Sequence, residues 1–223
     1  MAREQGTFGA SKLYLDRRNI VPKFTKSQET EFTTWRERLA TRPGLVIANH
    51  PGYLDSPALL SQINRKDLKI IAHRRHIDKW QMFGEEMILP AAKSPGELRK
   101  TLEATNDHIK AGGLVLLYPT GGQSRPDKAN RGFQSAFRSI VQRLRPSDMI
   151  YSFYINPADA SELLAKLPEK TENRLAEPGE IKIDEAYTEA SEWQEIIRTS
   201  ARDNVNDNLT RHFLQKFNRE RFD

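Results

Sequence analysis

Short apolar runs recur along the chain, each separated from the next by a polar or helix-like stretch. The runs are Gly44–Ala48, Leu68–Ala72, Met87–Ala91, Leu114–Tyr118 and Met149–Ile155. Apolar runs of this length that alternate with helical patterns indicate buried strands in one sheet. The pattern therefore predicts an α/β fold, with a mostly parallel central sheet flanked by helices.

Two segments between these runs carry the apolar spacing of amphipathic helices. The first begins at Ser94, a favourable helix cap, followed by Pro95 at the first helical position and Glu97 at the third. The Gly-Gly pair at 112–113 is expected to end this helix. A second helix is predicted over residues 132–145.

The two ends of the chain are predicted to add helices and one strand. Thr25–Arg42 has the pattern of a polar helix, so residues 1–42 are predicted to form an N-terminal helical segment and residues 43–223 the α/β domain. Ile181–Tyr187 is predicted as an edge strand. Apolar residues at four-residue spacing over Ile197–Phe217 predict one C-terminal amphipathic helix.

The amino-acid composition excludes several kinds of reactive site and limits the expected partners. The chain has 223 residues, a formal net charge of +5 and no cysteine, which excludes disulfides, thiolate metal sites and cysteine nucleophiles. It shows no secretory signal and no apolar stretch long enough to span a bilayer. A cytoplasmic protein is expected, with peripheral contact to the anionic inner face of a membrane as a further expectation. The basic charge favours acidic partners, but no nucleic-acid-binding motif is present, so nucleic acid is not expected.

The first candidate site is the sequence NHPGYLDSPAL, which directly follows the Gly44–Ala48 run. The turn residues Pro51 and Gly52 allow His50 and Asp55 to approach each other. A carboxylate on one imidazole nitrogen fixes the tautomer and leaves the other nitrogen to accept a proton. A His-x4-Asp spacing alone is weak, since it arises by chance in roughly a third of such chains. The alternative is an ordinary turn in which Asp55 caps the next helix.

The second candidate site is the sequence YPTGGQSRPD, again directly after a predicted strand. Gly121 and Gly122 leave backbone N–H groups accessible to an anion. Arg125 offers a planar set of donors suited to phosphate. The alternative is a surface Gly-Gly turn with a solvated arginine.

Both motifs, in this order and at this separation, make the chain resemble the phospholipid and glycerol acyltransferase superfamily. Its first motif is His-x4-Asp, usually preceded by Asn. The second loop is most similar to that of the soluble, chloroplast-type glycerol-3-phosphate acyltransferases, which reads P-S-G-G-R-D-R-P-D. Thr120 replaces its Ser, and the matching positions are Pro119, Gly121, Gly122, Arg125, Pro126 and Asp127. The resemblance extends over Gly44–Pro157 and is specific at the two motifs.

The resemblance implies transfer of a fatty acyl group from a thioester of acyl carrier protein or CoA to a hydroxyl of glycerol 3-phosphate or a related glycerol phosphate. In this interpretation His50 is the general base, Asp55 orients it, and Arg125 holds the acceptor phosphate with help from Thr120 and the backbone of Gly121–Gly122. No metal and no cofactor beyond the acyl-carrying co-substrate is expected.

The chain departs from the family pattern at several positions. Gln123 stands where the family has the first arginine of the loop, and the Glu of the commoner Pro-Glu-Gly version is absent. Lys93 matches the Lys of an upstream Lys-His pair that contacts phosphate in the chloroplast-type enzymes. Arg74 and Arg75, in the sequence HRRH, are expected to attract phosphate rather than to flank a metal site.

These departures leave two alternatives to an acyltransferase. One is a degenerate relative that binds lipid or acyl carrier without turnover. The other is a thioester or ester hydrolase, which lacks support because the sequence has no G-x-S-x-G motif.

Overall fold

The structure of the protein is a computed structural model. It describes residues 2–24, 36–52, 54–73, 88–91, 94–121, 132–166 and 178–219. The strands are β1 (Ile20–Phe24), β2 (Gly44–Ala48), β3 (Leu68–Ala72), β4 (Ile88–Pro90), β5 (Leu114–Leu117), β6 (Met149–Ile155) and β7 (Gly179–Glu189). The helices are α1 (Ala2–Asp16), α2 (described over 36–41), α3 (Asp55–Leu60), α4 (Pro95–Lys110), α5 (Ser135–Val141), α6 (Pro157–Lys166), α7 (Ala190–Thr199) and α8 (Val205–Lys216).

The strands form one sheet in the order β1-β7-β6-β2-β5-β3-β4. In the described part of the chain, β6, β2, β5, β3 and β4 run parallel to one another, β1 runs parallel to β7, and the β6–β7 pair is antiparallel. The predicted α/β class with a mostly parallel, helix-flanked sheet is confirmed. The predicted bounds of β2, β3 and β6 are the observed ones.

The centre of the sheet is buried on both faces. Val46 and Ala48 of β2 face one apolar cluster, which includes residues of α1 and α3, while Leu45 and Ile47 face a second cluster formed with α4, α5, α7 and α8. A strand covered on both faces reads as a continuous apolar run rather than an alternating one, because every side chain is buried. For this reason the apolar runs of the sequence predict the central strands.

Helix α4 begins and ends as its sequence predicts. The Ser94 hydroxyl accepts a hydrogen bond from the Glu97 N–H at 3.3 Å, and Gly112 has a φ of +100° just past the end of the helix. The helix predicted over 132–145 is confirmed in a shorter form as α5.

The prediction of an edge strand at Ile181–Tyr187 was wrong in its position. Strand β7 lies inside the sheet, between β1 and β6, and β1 is the edge strand. Sequence analysis missed β1, whose sequence IVPKF is interrupted by Pro22. Proline is tolerated in an edge strand because one side of that strand makes no ladder hydrogen bonds.

The prediction of a single C-terminal helix was also wrong. The chain is extended at Ser200, which has a ψ of 141°, and a short 3-10 turn over Arg202–Asn204 separates α7 from α8. The Asn208 side chain donates to the Ser200 hydroxyl at 2.8 Å across this break. Both helices present apolar residues to the same cluster, so the four-residue spacing persists through the interruption.

Other predictions fall partly or wholly outside the described residues. Of Thr25–Arg42, the described part is helical over 36–41, and Met87 lies outside. The division of the chain at residue 42 stays a prediction. Among the described residues, no helix is long and apolar enough to cross a bilayer.

Candidate active site

The two sequence motifs follow neighbouring parallel strands. Strand β2 pairs with β5 in a register that sets Ile47 opposite Leu117, so His50 and Tyr118 both lie just beyond the carboxyl ends of their strands. Ligands of open α/β sheets bind at this edge. The fold therefore brings the beginnings of the two loops together.

Asn49 fixes the end of β2 to the end of β6. Its side-chain amide donates to the Ile155 carbonyl at 2.8 Å, and its oxygen accepts from the Ile155 N–H at 2.7 Å. Asn49 is almost fully buried, where an unpaired backbone group would be costly. This two-bond connection sets where the chain turns into His50.

His50 and Asp55 form a hydrogen-bonded pair. The His50 Nδ1 lies 2.5 Å from Asp55 Oδ2, and the side chains are 22% and 0% exposed. Asp55 is the first residue of α3 and is not its cap, which is Leu54. The alternative in which Asp55 caps α3 is therefore wrong, because Leu54 holds the cap position. A carboxylate in the first turn of a helix is nevertheless favourable.

The Asp55 carboxylate accepts hydrogen bonds from four donor groups. Besides His50 Nδ1 it receives the N–H of Gly52 at 3.1 Å, and the N–H and hydroxyl of Ser56 at 2.5 and 3.2 Å. Such hydrogen bonds stabilise a carboxylate and fix its plane. An ionised Asp55 then holds the proton of the imidazole on Nδ1, which leaves Nε2 as the basic nitrogen.

Tyr118 is a further member of the site; the sequence places it at the end of a predicted strand and at the start of the second motif, with no role of its own. Its ring stacks on the His50 imidazole, with ring centroids 4.3 Å apart and 20° between the planes. Its hydroxyl lies 2.7 Å from the Ser56 hydroxyl. Burial, with the charge of Asp55 adding to it, raises the pKa of Tyr118 well above its ordinary value of 10.0. A signal was available: Tyr118 comes immediately after β5, the strand that pairs with β2, and has a polar tip.

The second loop begins with a tight turn. The Gly121 N–H donates to the Tyr118 carbonyl at 3.0 Å, and Gly121 has a φ of +69°, a conformation that favours glycine. Thr120 is 2% exposed within this turn. Residues 122–131 lie outside the described residues, and the described contact between this loop and His50 is made by Tyr118.

Five of the predicted substrate-binding residues lie outside the described residues: Arg74, Arg75, Lys93, Gly122 and Arg125. Their roles stay predictions. In the part of the chain that is described, no group of three or more His, Cys, Asp or Glu residues is arranged to hold a metal ion.

The pair has the properties of a general base. The His50 side chain is partly exposed at the carboxyl edge of the sheet, and the structure gives its Nε2 no hydrogen-bond partner among the described residues. An imidazole with one nitrogen fixed by a carboxylate and the other exposed can take a proton from a bound hydroxyl. The fold and the site together define an α/β protein with a hydrogen-bonded histidine–aspartate pair at the carboxyl edge of its sheet.

Comparison with known proteins agrees with this class. The family model described as Acyltransferase matches residues 29–158, more than half of the chain and a stretch that includes both motifs. The chain belongs to this acyltransferase family. No curated protein sequence matches it.

A solved structure shares the fold. The crystal structure of the 1-acyl-sn-glycerophosphate (LPA) acyltransferase PlsC from Thermotoga maritima aligns with a TM-score of 0.53 and 15% sequence identity. The alignment covers 96% of this chain and 77% of that one. At this identity the likeness shows the fold.

Proposed function

We propose that the protein is an O-acyltransferase that moves a fatty acyl group from a thioester to a hydroxyl of a glycerol phosphate, in the first steps of phospholipid synthesis. The observation that carries the proposal is the His50–Asp55 pair, 2.5 Å apart at the carboxyl edge of β2 and directly beside the start of the second loop. Membership of the acyltransferase family supports the reaction type.

The chemistry follows from the imidazole. His50 Nε2 takes the proton of the acceptor hydroxyl while that oxygen attacks the carbonyl carbon of the thioester. The resulting tetrahedral intermediate collapses, the carbon–sulfur bond breaks, and the thiolate receives the proton from the imidazolium. Asp55 keeps the imidazole in the Nδ1–H tautomer and stabilises its charge. The products are an ester and a free thiol.

The acceptor is a phosphorylated glycerol, either glycerol 3-phosphate or its monoacylated form. The Gly-Gly loop and Arg125 support a phosphate ligand, since the resemblance to chloroplast-type enzymes rests on these positions. The fold shared with PlsC, a 1-acyl-sn-glycerophosphate acyltransferase, supports the monoacylated acceptor. Lys93, Arg74 and Arg75 are proposed to add positive charge at the same edge.

The donor is a thioester of acyl carrier protein or of CoA, and no metal takes part. The net charge of +5 suits an acidic carrier protein and an anionic membrane surface. We propose peripheral contact with such a membrane, because a monoacylated acceptor resides there.

A binder without turnover is the second candidate. The observation that favours it is Thr120, a buried residue that occupies the position of the usual Glu of the loop. Threonine has no carboxylate, so this position cannot supply the negative charge that the usual Glu would.

An activity matrix separates the two candidates. Purified protein is assayed with acyl carrier protein and CoA thioesters against glycerol 3-phosphate and 1-acylglycerol 3-phosphate. We expect ester formation in at least one combination and its loss, by about 10³-fold or more, in His50→Ala, because the base is removed. Free fatty acid without ester would instead indicate a hydrolase.

The matched control is His212→Gln. His212 lies on α8, where it contacts Trp193 and Glu192 rather than His50 or Asp55, so this variant is expected to keep its rate. A folded wild type that is inactive in every combination would favour the binder. A His50→Ala variant as active as wild type would remove His50 from the mechanism.

A further inference from the structure

Four side chains at the candidate active site form a closed ring of contacts. His50 binds Asp55, Asp55 accepts from Ser56, the Ser56 hydroxyl lies 2.7 Å from the Tyr118 hydroxyl, and the Tyr118 ring stacks back on His50. Three of the four residues come from the first motif, and Tyr118 is the first residue of the second. The ring therefore joins the two loops through side chains.

The hydrogen bonds in this ring have one direction. An ionised carboxylate only accepts, so the single hydroxyl proton of Ser56 points to Asp55 Oδ1. Ser56 must then accept from Tyr118, whose hydroxyl is the donor at the start of the chain. The raised pKa of Tyr118 keeps this proton in place across the range in which enzymes work.

The ring also restrains the imidazole in two different directions. The bond from Nδ1 to Asp55 fixes one edge of the His50 ring within its own plane. The Tyr118 ring, 4.3 Å away and nearly parallel, blocks rotation out of that plane. A hydrogen bond alone would leave this rotation open, so the two contacts are complementary.

We infer that Tyr118 is a positioning residue for His50, acting through ring stacking and through the Ser56 hydroxyl on Asp55. It holds the imidazole in the Nδ1–H tautomer with Nε2 facing the substrate. Its backbone carbonyl also accepts from Gly121, so the turn that opens the second loop is attached to the same residue. The orientation of the base is thereby tied to the loop proposed to bind the acceptor.

The kinetic test of this inference rests on the proposed function, because it requires acyl transfer. In Tyr118→Leu, which loses both contacts, we expect kcat to fall about 10- to 100-fold with little change in the KM of either substrate, because a base displaced by an ångström reacts far more slowly. Tyr118→Phe keeps the stacked ring and should recover most of that loss. Ser56→Ala should resemble Tyr118→Phe, since each breaks the same hydrogen-bond chain.

A second readout does not require acyl transfer. The ¹⁵N shifts of the His50 imidazole report its tautomer, and we expect the Nδ1–H form in the wild type and a mixture with the Nε2–H form in Tyr118→Leu. The control is Tyr151→Phe, which removes a buried hydroxyl that has no hydrogen-bond partner in the described structure and lies outside this ring. It should leave both rate and tautomer unchanged.

The outcomes separate the two proposals. An inactive wild type with a Tyr118-dependent tautomer would overturn the proposed function and support the positioning role. A Tyr118→Leu variant that is folded and keeps both its kcat and its Nδ1–H tautomer would overturn the positioning role. A change in KM without a change in kcat or tautomer would also overturn it.

Discussion

At the scale of single residues, the candidate site is held in place by two buried polar side chains, each of which makes several hydrogen bonds. Asp55 is completely buried yet accepts four hydrogen bonds, and Asn49 uses both ends of its amide on the backbone of Ile155. Buried polar groups are stable only when paired, so each such residue has few acceptable substitutes. Asn49 is thus a structural support of the candidate base rather than a reacting group.

The contribution of Asn49 can be measured by Asn49→Leu, which has nearly the same size and shape. The substitution leaves the N–H and the carbonyl of Ile155 without this partner, and we expect the free energy of unfolding to fall by about 2 to 4 kcal/mol. Urea denaturation measures the change. Asn204→Leu is the control, because Asn204 is exposed and makes no capping bond, and its effect should stay within about 0.5 kcal/mol. Equal effects in the two variants would contradict the role given to Asn49.

At the scale of elements, the position of β2 in the sheet depends on its close approach to β6 as well as on its apolar side chains. Gly44 begins β2 opposite Met149, and a Cβ atom at Gly44 would lie 2.2 Å from the Met149 carbonyl oxygen. No side chain fits in that space. The first residue of the strand that carries His50 must therefore be glycine.

Gly44→Ala is expected to destabilise the protein by about 3 kcal/mol or more, because backbone atoms must move to admit the methyl group. Gly96→Ala is the matched control. Gly96 lies in the first turn of α4, and a Cβ there would meet no atom from other parts of the described structure within 4 Å, so alanine should stabilise by about 0.5 to 1 kcal/mol. Thermal unfolding of the two variants gives the comparison. Effects of the same sign would refute this account of the β2–β6 contact.

At the scale of the whole molecule, Arg65 connects segments that are distant in sequence. Its guanidinium donates to the carbonyl of Leu39 in α2, to the carbonyls of Arg42 and Gly112 just after α2 and α4, and to the carboxylate of Asp67. The side chain is 10% exposed. One residue thus joins the loops that precede β2, β3 and β5.

Arg65→Lys should lower the free energy of unfolding by about 2 to 4 kcal/mol, since an ammonium group cannot replace a planar set of donors on several carbonyls. Chemical denaturation of this variant is compared with Arg198→Lys, a surface arginine paired with Glu195, which should change little. A loss in Arg65→Lys no larger than that of the control would show that the connection is dispensable.

The ion pair between Arg65 and Asp67 makes the free energy of unfolding depend on pH. The hydrogen bond from Arg65 lowers the pKa of Asp67 below its ordinary value of 3.8. The stabilisation is therefore present above that value and is lost as the pH falls through the lower pKa of the folded state. Asp67→Asn should remove this part of the acid sensitivity, whereas an unchanged acid transition would contradict it.

The sequence by itself determined the parts of this protein whose signals are local. Strands β2, β3 and β6 were recognisable because both faces of the sheet are covered, and α4 because Ser94 and the glycines at 112–113 are local start and stop signals. The pairing of His50 with Asp55 was predictable because a short turn joins the two residues.

Only the tertiary structure decided what depends on contacts between distant segments. It placed β7 inside the sheet, since β1 covers its outer edge, and it divided the C-terminal helix, since the chain is extended at Ser200 between two helices that pack on one cluster. It also brought Tyr118 onto His50 through the register of β2 with β5. Periodicity along a chain reports which faces are buried, but which surface buries them is fixed by strand order and register, and these have no local signature.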